Sequence, residues 1–459
     1  MEEFNAQVAG RLPLAEAVLL TFDYLTEESF LGELYEKYRG QSYECSLSFG
    51  NLVAVITDAL LEHEGSAHRA LKQAQDDETL PASKEAWYGK LRRIPEFLSQ
   101  GFLLEGTSRL MGILPTTPST IPKSLRKFDV RAIDGKKLKN AAKRLKPTRQ
   151  FRGSVLGGKV LVALDLNSRM AIAMSSHEDG ETNDCPLVPA LLEQLRGLSG
   201  KRKMLCVLDR QFSDLKVPAL LAENEDHFLM RYHPKVTFTR DTAHPMSKGK
   251  DANGRCYEDE QGWLGKETDK RRRYVRRITL KRPGEEAMIV ITDLLDETQY
   301  PATDLLDLYR MRWGIENVFQ RITEVFHLRQ LISSSPKGTI FQCAFCLLLY
   351  NLIELERAYI AVAQRLETEQ ISMENLFYSA HRQLIGWTEM LPAAWTVAYF
   401  RKSMTITQLI ERLHELLDPL WKDDWLKSPK KKFVPKNQDP PTDGGHTSVF
   451  RLIRKQSSA

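Results

Sequence analysis

Between residues 128 and 232 the hydrophobic pattern changes repeatedly between a period of two residues and a period of 3.6. The first period is typical of strands and the second of helices. The predicted order is three strands, a helix, a strand, a helix and a strand, with the strands at 128–134, 159–165, 170–174, 204–208 and 228–232. Strands that alternate with helices in this way predict an α/β fold with a buried central strand.

Helical periodicity dominates on both sides of this region, including a single long helix predicted over 303–326. The segment after 427 is predicted to be flexible because residues 428–443 contain too few apolar side chains to fold alone. The predicted segments are a helical N-terminal domain (1–122), the first part of the α/β core (123–235), a β-rich basic insertion (236–296), the second part of the core (297–365), a helical C-terminal region (366–426) and a basic flexible tail (427–459).

The positive charge of the chain is concentrated in three segments. The 459 residues carry a net charge of +5, but residues 123–152, 270–282 and 427–455 together carry +24, which leaves −19 for the rest. A single basic run is often only a solvated surface, whereas three runs on an otherwise acidic chain favour a polyanionic partner. Nucleic acid is the commonest such partner.

Membrane insertion and secretion are not expected. The longest unbroken apolar run, Cys343–Tyr350, has eight residues, fewer than the roughly 20 that a membrane-spanning helix needs. The chain begins with acidic residues rather than a basic stretch and an apolar core. Cys343 and Cys346 form one C-x-x-C pair with no second pair nearby, which favours two core residues over a metal site. We therefore expect an intracellular protein without a membrane partner.

Three acidic residues lie where a catalytic site could form. Asp134 ends the first strand of the core and Asp209 ends the buried strand, so both lie at the rim of a sheet, where ligands bind in open α/β folds. Glu316 follows Tyr309 and Arg312 along one face of the predicted helix. Each Asp alone could be a cap or turn residue, and Glu316 could simply pair with Arg312 for roughly 0.2–0.5 kcal/mol. Together the three acids could bind divalent ions.

Three motifs then occur in a characteristic order: Asp134-Gly, Asp209-Arg-x-Phe and, after the basic insertion, Tyr309-x-x-Arg-Trp-x-Ile-Glu316. On these motifs the chain resembles the DDE transposases of bacterial insertion sequences, in the insertion-sequence-four group. The resemblance covers roughly residues 125–355, and the Tyr-Arg-Trp-Glu run is its most specific part.

The resemblance implies an RNase H-like catalytic core in which Asp134, Asp209 and Glu316 hold two Mg²⁺ ions, with Mn²⁺ as a substitute. The implied reaction is cut-and-paste transposition: metal-dependent nicking, a hairpin intermediate, release and strand transfer, without ATP. The implied partner is double-stranded DNA, as element ends and as target, bound by a homodimer. The implied location is the bacterial cytoplasm, in association with the nucleoid.

The resemblance also implies that Tyr309 and Arg312 contact the DNA end. Members of the group carry Lys seven residues after the catalytic Glu, whereas this chain has Thr323, so Gln320 or His327, on the same helix face, is predicted to hold the phosphate instead. A further departure is Gln211, which stands where Gly is usual. Further predicted DNA contacts are Arg210, Lys136, Lys137, Arg271, Arg272 and Arg273.

Two other functions are compatible with the same residues. Thr323 and Gln211 allow a catalytically weakened or inactive DNA-binding relict of a transposase. A general metal-dependent nuclease is the third hypothesis, which predicts cleavage without preference for a terminal sequence. For the N-terminal helices, recognition of the element's ends and a purely supporting role are equally compatible with the sequence. Trp263 is predicted to be either a core residue of the insertion or a platform for an extruded base.

Overall fold

The structure is a computed structural model that describes residues 2–43, 46–61, 63, 66–141, 143–200, 202–281, 286–328, 330–400, 404–427 and 445–457. The chain begins with seven helices: α1 (Glu2–Ala9), α2 (Pro13–Thr26), α3 (Glu28–Tyr38), α4 (Phe49–Leu61), α5 (Ala67–Asp76), α6 (Lys84–Arg93) and α7 (Glu96–Gly112). This agrees with the helical periodicity of the N-terminal sequence.

The core that follows alternates strands with helices. Its elements are β1 (Asp129–Lys137), α8 (Lys146–Arg149), β2 (Ser154–Leu156), β3 (Lys159–Asp165), β4 (Ala171–His177), α9 (Val188–Ser199), β5 (Met204–Leu208), α10 (Lys216–Ala222) and β6 (His227–Arg231). The insertion contributes β7 (Phe238–Arg240), β8 (Ser247–Lys250), β9 (Cys256–Leu264), β10 (Arg273–Leu280) and β11 (Met288–Thr292).

The five core strands lie side by side in the order β4-β3-β1-β5-β6. β4, β3 and β1 are antiparallel neighbours, whereas β5 and β6 run parallel to β1. An antiparallel meander of three strands followed by two parallel strands, with the first strand in the centre, is the RNase H-like arrangement. The predicted fold class is therefore confirmed. All residues of β3 and β5 are buried, which explains their nearly continuous apolar sequences.

The insertion extends the core sheet instead of forming a separate layer. β11 pairs antiparallel with β6, and the order continues through β10 and β9 to β7, with β8 paired to β9. In the described part of the chain the result is one ten-stranded sheet. The insertion thus pairs with the core through residues 229–231 of the edge strand β6.

The helices after the sheet are α11 (Ala302–Met311), α12 (Trp313–Glu324), α13 (Pro336–Ala363), α14 (Met373–Met390), α15 (Ala393–Phe400) and α16 (Ile406–Leu417). The single long helix predicted over 303–326 is therefore wrong, because the chain turns at Arg312. There the amides of Arg312 and Ile315 bond carbonyls three residues earlier, at 3.2 and 3.1 Å, which tightens the backbone locally.

α13 is the central helix of the α-helical part. It packs against α2, α6 and α7 of the N-terminal segment and against α14 and α16 of the C-terminal segment, so these segments share one buried core. By length and composition α13 could cross a membrane, but its apolar window is entirely buried within the protein. Cys343 and Cys346 are both buried in this helix, as predicted for core residues.

The C-terminal residues return to the core. β12 (His446–Ser448) pairs in parallel with β2, and α17 (Val449–Ser457) packs against α8. The prediction of a flexible tail is therefore wrong for residues 446–457, because the edge of β2 supplies hydrogen bonds that the tail sequence alone could not reveal. Most of the remaining predicted tail, residues 428–444, lies outside the described residues.

Candidate active site

The parallel pairing of β1 and β5 brings the first two predicted acids together. Ile133 pairs with Leu208, so Asp134 lies beside Asp209, the residue that follows β5. The prediction that Asp134 ends the first strand is wrong, because β1 continues to Lys137 through its pairing with β3, whereas its pairing with β5 ends at Ile133. One Asp134 carboxylate oxygen accepts a hydrogen bond from the Gly135 amide at 2.8 Å. Asp209 begins a short 3₁₀ turn and accepts a hydrogen bond from the Gln211 amide at 2.7 Å. The turn is thus formed with Gln in the place where the family usually has Gly.

Glu316 reaches the same place from the first turn of α12, which packs on β1 and β3. The Arg312 guanidinium lies between the acids: Nη1 is 3.3 Å from Asp134 Oδ2 and Nη2 is 2.5 Å from Glu316 Oε1. Arg312 is only 9% exposed, and its Nε has no hydrogen-bond partner among the described residues. The turn between α11 and α12 therefore places one buried cation against two of the three acids.

Asp134 and Glu316 face a common cavity of about 600 Å³. The other charged or polar residues that line the cavity are Lys136, Lys137, Lys139, Asn140, Lys159, Asp184, Gln211 and Thr323. Asp209 is not among the lining residues, but it lies next to Asp134, which is. A polar cavity with an excess of lysines over carboxylates suits an anionic ligand.

Burial and the charges of neighbouring carboxylates raise the pKa values of the two aspartates. Desolvation, followed by the charges of Asp209 and Glu316, raises the pKa of Asp134 to about 6, although the Gly135 amide and Arg312 oppose the shift. Desolvation likewise raises the pKa of Asp209, with a smaller contribution from Asp184. Both groups are therefore held in surroundings that lack enough positive charge for them.

The donor chemistry of the three acids fits a hard divalent cation, because carboxylate oxygens are the ligands that Mg²⁺ prefers. The raised pKa values of Asp134 and Asp209 point the same way, since a bound cation would supply the missing positive charge. Within the described residues, however, no three His, Cys, Asp or Glu side chains are grouped closely enough to hold a metal ion. Arg312 occupies the space between Asp134 and Glu316.

An ion pair that the sequence did not reveal forms one wall of the cavity. Lys159 Nζ is 2.6 Å from Asp184 Oδ1, and both side chains are at least nine-tenths buried. The Asp184 carboxylate lies so close to Gly135 that a Cβ atom there would overlap it, which explains why glycine follows Asp134. The only sequence signal was a lysine at the start of the fully buried strand β3.

Of four predicted DNA-binding residues on β1 and around α12, two line the cavity and two do not. Lys136 and Lys137 line the cavity, and Lys136 Nζ lies 3.3 Å from the Phe319 carbonyl oxygen. Desolvation lowers the pKa of Lys136. Gln320 is exposed and donates a hydrogen bond to Glu324, while His327 follows the end of α12 with a φ of 58°. Neither is among the lining residues of the cavity.

Tyr309 and Arg210 flank the acids on either side. The Tyr309 ring is buried, and desolvation raises the pKa of its hydroxyl. Its ring centre is 5.9 Å from the Arg312 guanidinium carbon. Arg210 directly follows Asp209 and is exposed. The buried Tyr309 ring therefore lies next to the Arg312 guanidinium inside the protein, whereas the Arg210 side chain is exposed to solvent.

Three of the eight basic residues in the run of the insertion pair with acids on the neighbouring strand β9. Arg276 forms a fully buried ion pair with Asp259, and Arg277 pairs with Glu260 at 2.6 Å. Arg272 lies over the ring of Trp263, 4.6 Å from its centre, and Trp263 is 39% exposed. The structure thus leaves Trp263 on the surface instead of in the core of the insertion.

Arg271 and Arg273 complete the predicted basic triplet around Arg272. Arg271 is exposed and lies 3.6 Å from Asp269. Arg273 begins β10 and is partly buried. Only part of the +8 charge of this run therefore faces solvent, and the role of the triplet in DNA binding stays a prediction.

The strand order defines an RNase H-like domain, and its acidic residues lie within β1, directly after β5 and on α12. Residues 125–352 match the family model described as "Transposase DDE domain". This segment is therefore similar to transposase DDE domains, which supports the prediction of a DDE transposase.

The chain is also similar to a solved structure described as a cryo-EM structure of the piggyBac transposase synaptic complex with hairpin DNA. The two chains are 11% identical, the alignment covers 91% of each, and the TM-score is 0.37. No curated protein matches the chain by sequence. The assignment rests on the family match.

Proposed function

We propose that the chain is a DNA transposase of the insertion-sequence-four group that moves its element by metal-dependent cut-and-paste transposition. The observation that supports this most is that Asp134 lies beside Asp209 and shares Arg312 with Glu316, within a segment that matches the transposase DDE domain. We propose element ends and target, both double-stranded DNA, as its substrates, a homodimer as the DNA-bound form, and the nucleoid of the bacterial cytoplasm as its location.

In this proposal Asp134, Asp209 and Glu316 hold two divalent cations, Mg²⁺ or Mn²⁺. The bound cations would supply the positive charge that polarises a scissile phosphodiester and activates water or a 3′-hydroxyl. The protein residues provide the oxygen ligands, from within β1, directly after β5 and in the first turn of α12. Because Arg312 contacts Asp134 and Glu316, its guanidinium must move away when cations bind. Arg312 is then free to contact a DNA phosphate.

Lys136 is proposed to hold a DNA phosphate in place of the lysine that the family carries at the position of Thr323. The Lys136 ammonium and the Thr323 hydroxyl both donate to the Phe319 carbonyl oxygen, at 3.3 and 2.6 Å. The ammonium of Lys136 therefore lies next to position 323 although it comes from β1. This location favours Lys136 over Gln320 and His327, the two residues predicted from the helix face.

The test is cleavage of a duplex that carries the element's terminal repeat, with Mg²⁺ present. We expect Asp134→Asn, Asp209→Asn and Glu316→Gln to abolish cleavage while they keep DNA binding, because each removes a proposed cation ligand. The matched control is Glu324→Gln, an exposed glutamate on the same helix as Glu316. Full cleavage by any of the three site variants would refute the role of that residue.

A non-catalytic DNA-binding relict is the second candidate. It is favoured by the contact of Arg312 with two of the acids, since an arginine that stayed there would exclude cations. This candidate predicts that the purified protein binds the terminal repeat and does not nick it with either Mg²⁺ or Mn²⁺. Nicking of the repeat in either metal excludes the relict, and cleavage of any duplex at equal rate would instead indicate a general nuclease.

A further inference from the structure

A second basic surface is assembled from four distant parts of the chain. The end of α6, α8, the start of α13 and α17 surround a cavity of about 410 Å³. Its charged lining residues are Arg92, Arg93, Lys146 and Lys337, with one carboxylate, Glu178. We call the four cations the junction patch. No motif of the sequence indicated that these residues lie together.

Most of the positive charge of the junction patch is not neutralised. Arg92, Arg93 and Lys146 are exposed, and none of them forms an ion pair with another described residue. Lys337 is 3.9 Å from Glu178, the only carboxylate among the lining residues. This contrasts with the insertion, where Arg276 and Arg277 are paired with acids. The patch therefore retains a net charge of about +3, which favours an anionic partner.

The junction patch is continuous with the candidate active site along the chain. Lys136, Lys137, Lys139 and Asn140 line the catalytic cavity, and the same connection then reaches Lys146 in the patch. Residues 136–152 contain eight Lys or Arg and no acid. The stretch of chain that links the catalytic cavity to the junction patch is therefore strongly basic, and we call it the basic track.

Two basic side chains within this track bond backbone carbonyls and so keep their charge. Lys143 Nζ is 2.7 Å from the Phe151 carbonyl oxygen, and Arg149 Nε is 3.0 Å from that of Arg144. The track is also held in place, because β12 pairs with β2 and α17 packs on α8. The C-terminal strand and helix therefore brace a segment that has few apolar residues of its own.

We propose that the junction patch binds the phosphates of duplex DNA as the duplex leaves the catalytic cavity along residues 136–146. This inference rests on the proposed function, because it takes the catalytic cavity as the place where DNA is cut. Arg and Lys side chains at the protein surface contact phosphate oxygens without reading the sequence. The patch thus contributes affinity and orientation and leaves the choice of DNA end to other residues.

The test compares two triple variants of the full-length protein in binding to mixed-sequence duplex DNA. Arg92→Gln, Arg93→Gln and Lys146→Gln together remove three charges of the patch. The matched control removes two arginines and one lysine from exposed positions elsewhere: Arg11→Gln, Arg382→Gln and Lys422→Gln. Because each lost phosphate contact lowers the slope of log K against log salt by about 0.9, we expect the patch variant to lose about 2 to 3 units of slope.

The control is expected to keep the slope of the wild type. An unchanged slope in the patch variant, or an equal loss in both variants, would overturn the proposed path. A duplex with the terminal repeat should lose affinity by the same factor as the mixed-sequence duplex, and a loss confined to the repeat would also contradict phosphate binding. Failure of the proposed function is distinguishable, since it shows as absent Mg²⁺-dependent cleavage in a wild type that still binds DNA.

Discussion

Replacing Asp134 by Asn is expected to stabilise the folded protein at neutral and alkaline pH. Burial and the neighbouring acids raise the pKa of Asp134 from its ordinary value of 3.8 to about 6. The folded state therefore binds this proton more tightly than the unfolded state. Stability is lost as the pH rises from about 4 to about 6, and the loss stays constant above that range. Asn cannot ionise, so the variant does not suffer this loss.

The size of the effect follows from the shift in pKa. Each pKa unit corresponds to about 1.36 kcal/mol, so the penalty for ionised Asp134 is about 3 kcal/mol at most. For a chain of this length that corresponds to a rise in melting temperature of about 3 °C. Such a penalty fits a site whose charge serves ligand binding rather than folding.

The assay is urea unfolding of the wild type and Asp134→Asn in metal-free buffer at about pH 4 and about pH 8. We expect equal stability at the lower pH and a more stable variant at the higher pH. Added Mg²⁺ should narrow the difference, because only the wild type retains the carboxylate. Asp76→Asn, at the exposed end of α5, is the matched control. A variant that is no more stable than the wild type at pH 8, or a difference independent of pH, would refute the reasoning.

Three further outcomes are expected. Arg312→Gln removes the cation that lies between two acids of the catalytic cavity. Mn²⁺ should therefore bind more tightly to this variant in the absence of DNA, on the order of tenfold by calorimetry. Weaker Mn²⁺ binding would contradict the proposed exchange of arginine for metal. Lys136→Gln should slow cleavage of a terminal-repeat duplex at least about tenfold, because it removes a charged phosphate contact, whereas exposed Lys422→Gln should not. Arg276→Met leaves a buried carboxylate without its partner and should destabilise the protein by about 3–5 kcal/mol in urea unfolding. Arg277→Met breaks a more exposed pair and should have a much smaller effect, so equal losses would argue against the buried pair.

The strands of the core were predictable because each has a local signal. Residues 159–165 and 204–208 are apolar without interruption, and both are fully buried strands, β3 and β5. Asp209 stood out for the same reason, because it directly follows the apolar strand β5, whereas Asp134 was identified although β1 continues three residues beyond it. The periodicity of apolar side chains thus predicted the α/β fold class and drew attention to two of the three candidate acids.

The arrangement around those acids depends on contacts between residues far apart in the chain. Arg312 lies against Asp134 only because α12 packs on β1, and Lys136 approaches position 323 through the same packing. The pairing of Lys159 with Asp184, the bracing of β2 by β12 and the junction patch have no local pattern either. Hydrophobic periodicity records which side of an element is buried, but strand register and helix packing decide which charges meet. For this chain, that assembly determines whether metal, arginine or DNA neutralises the acids.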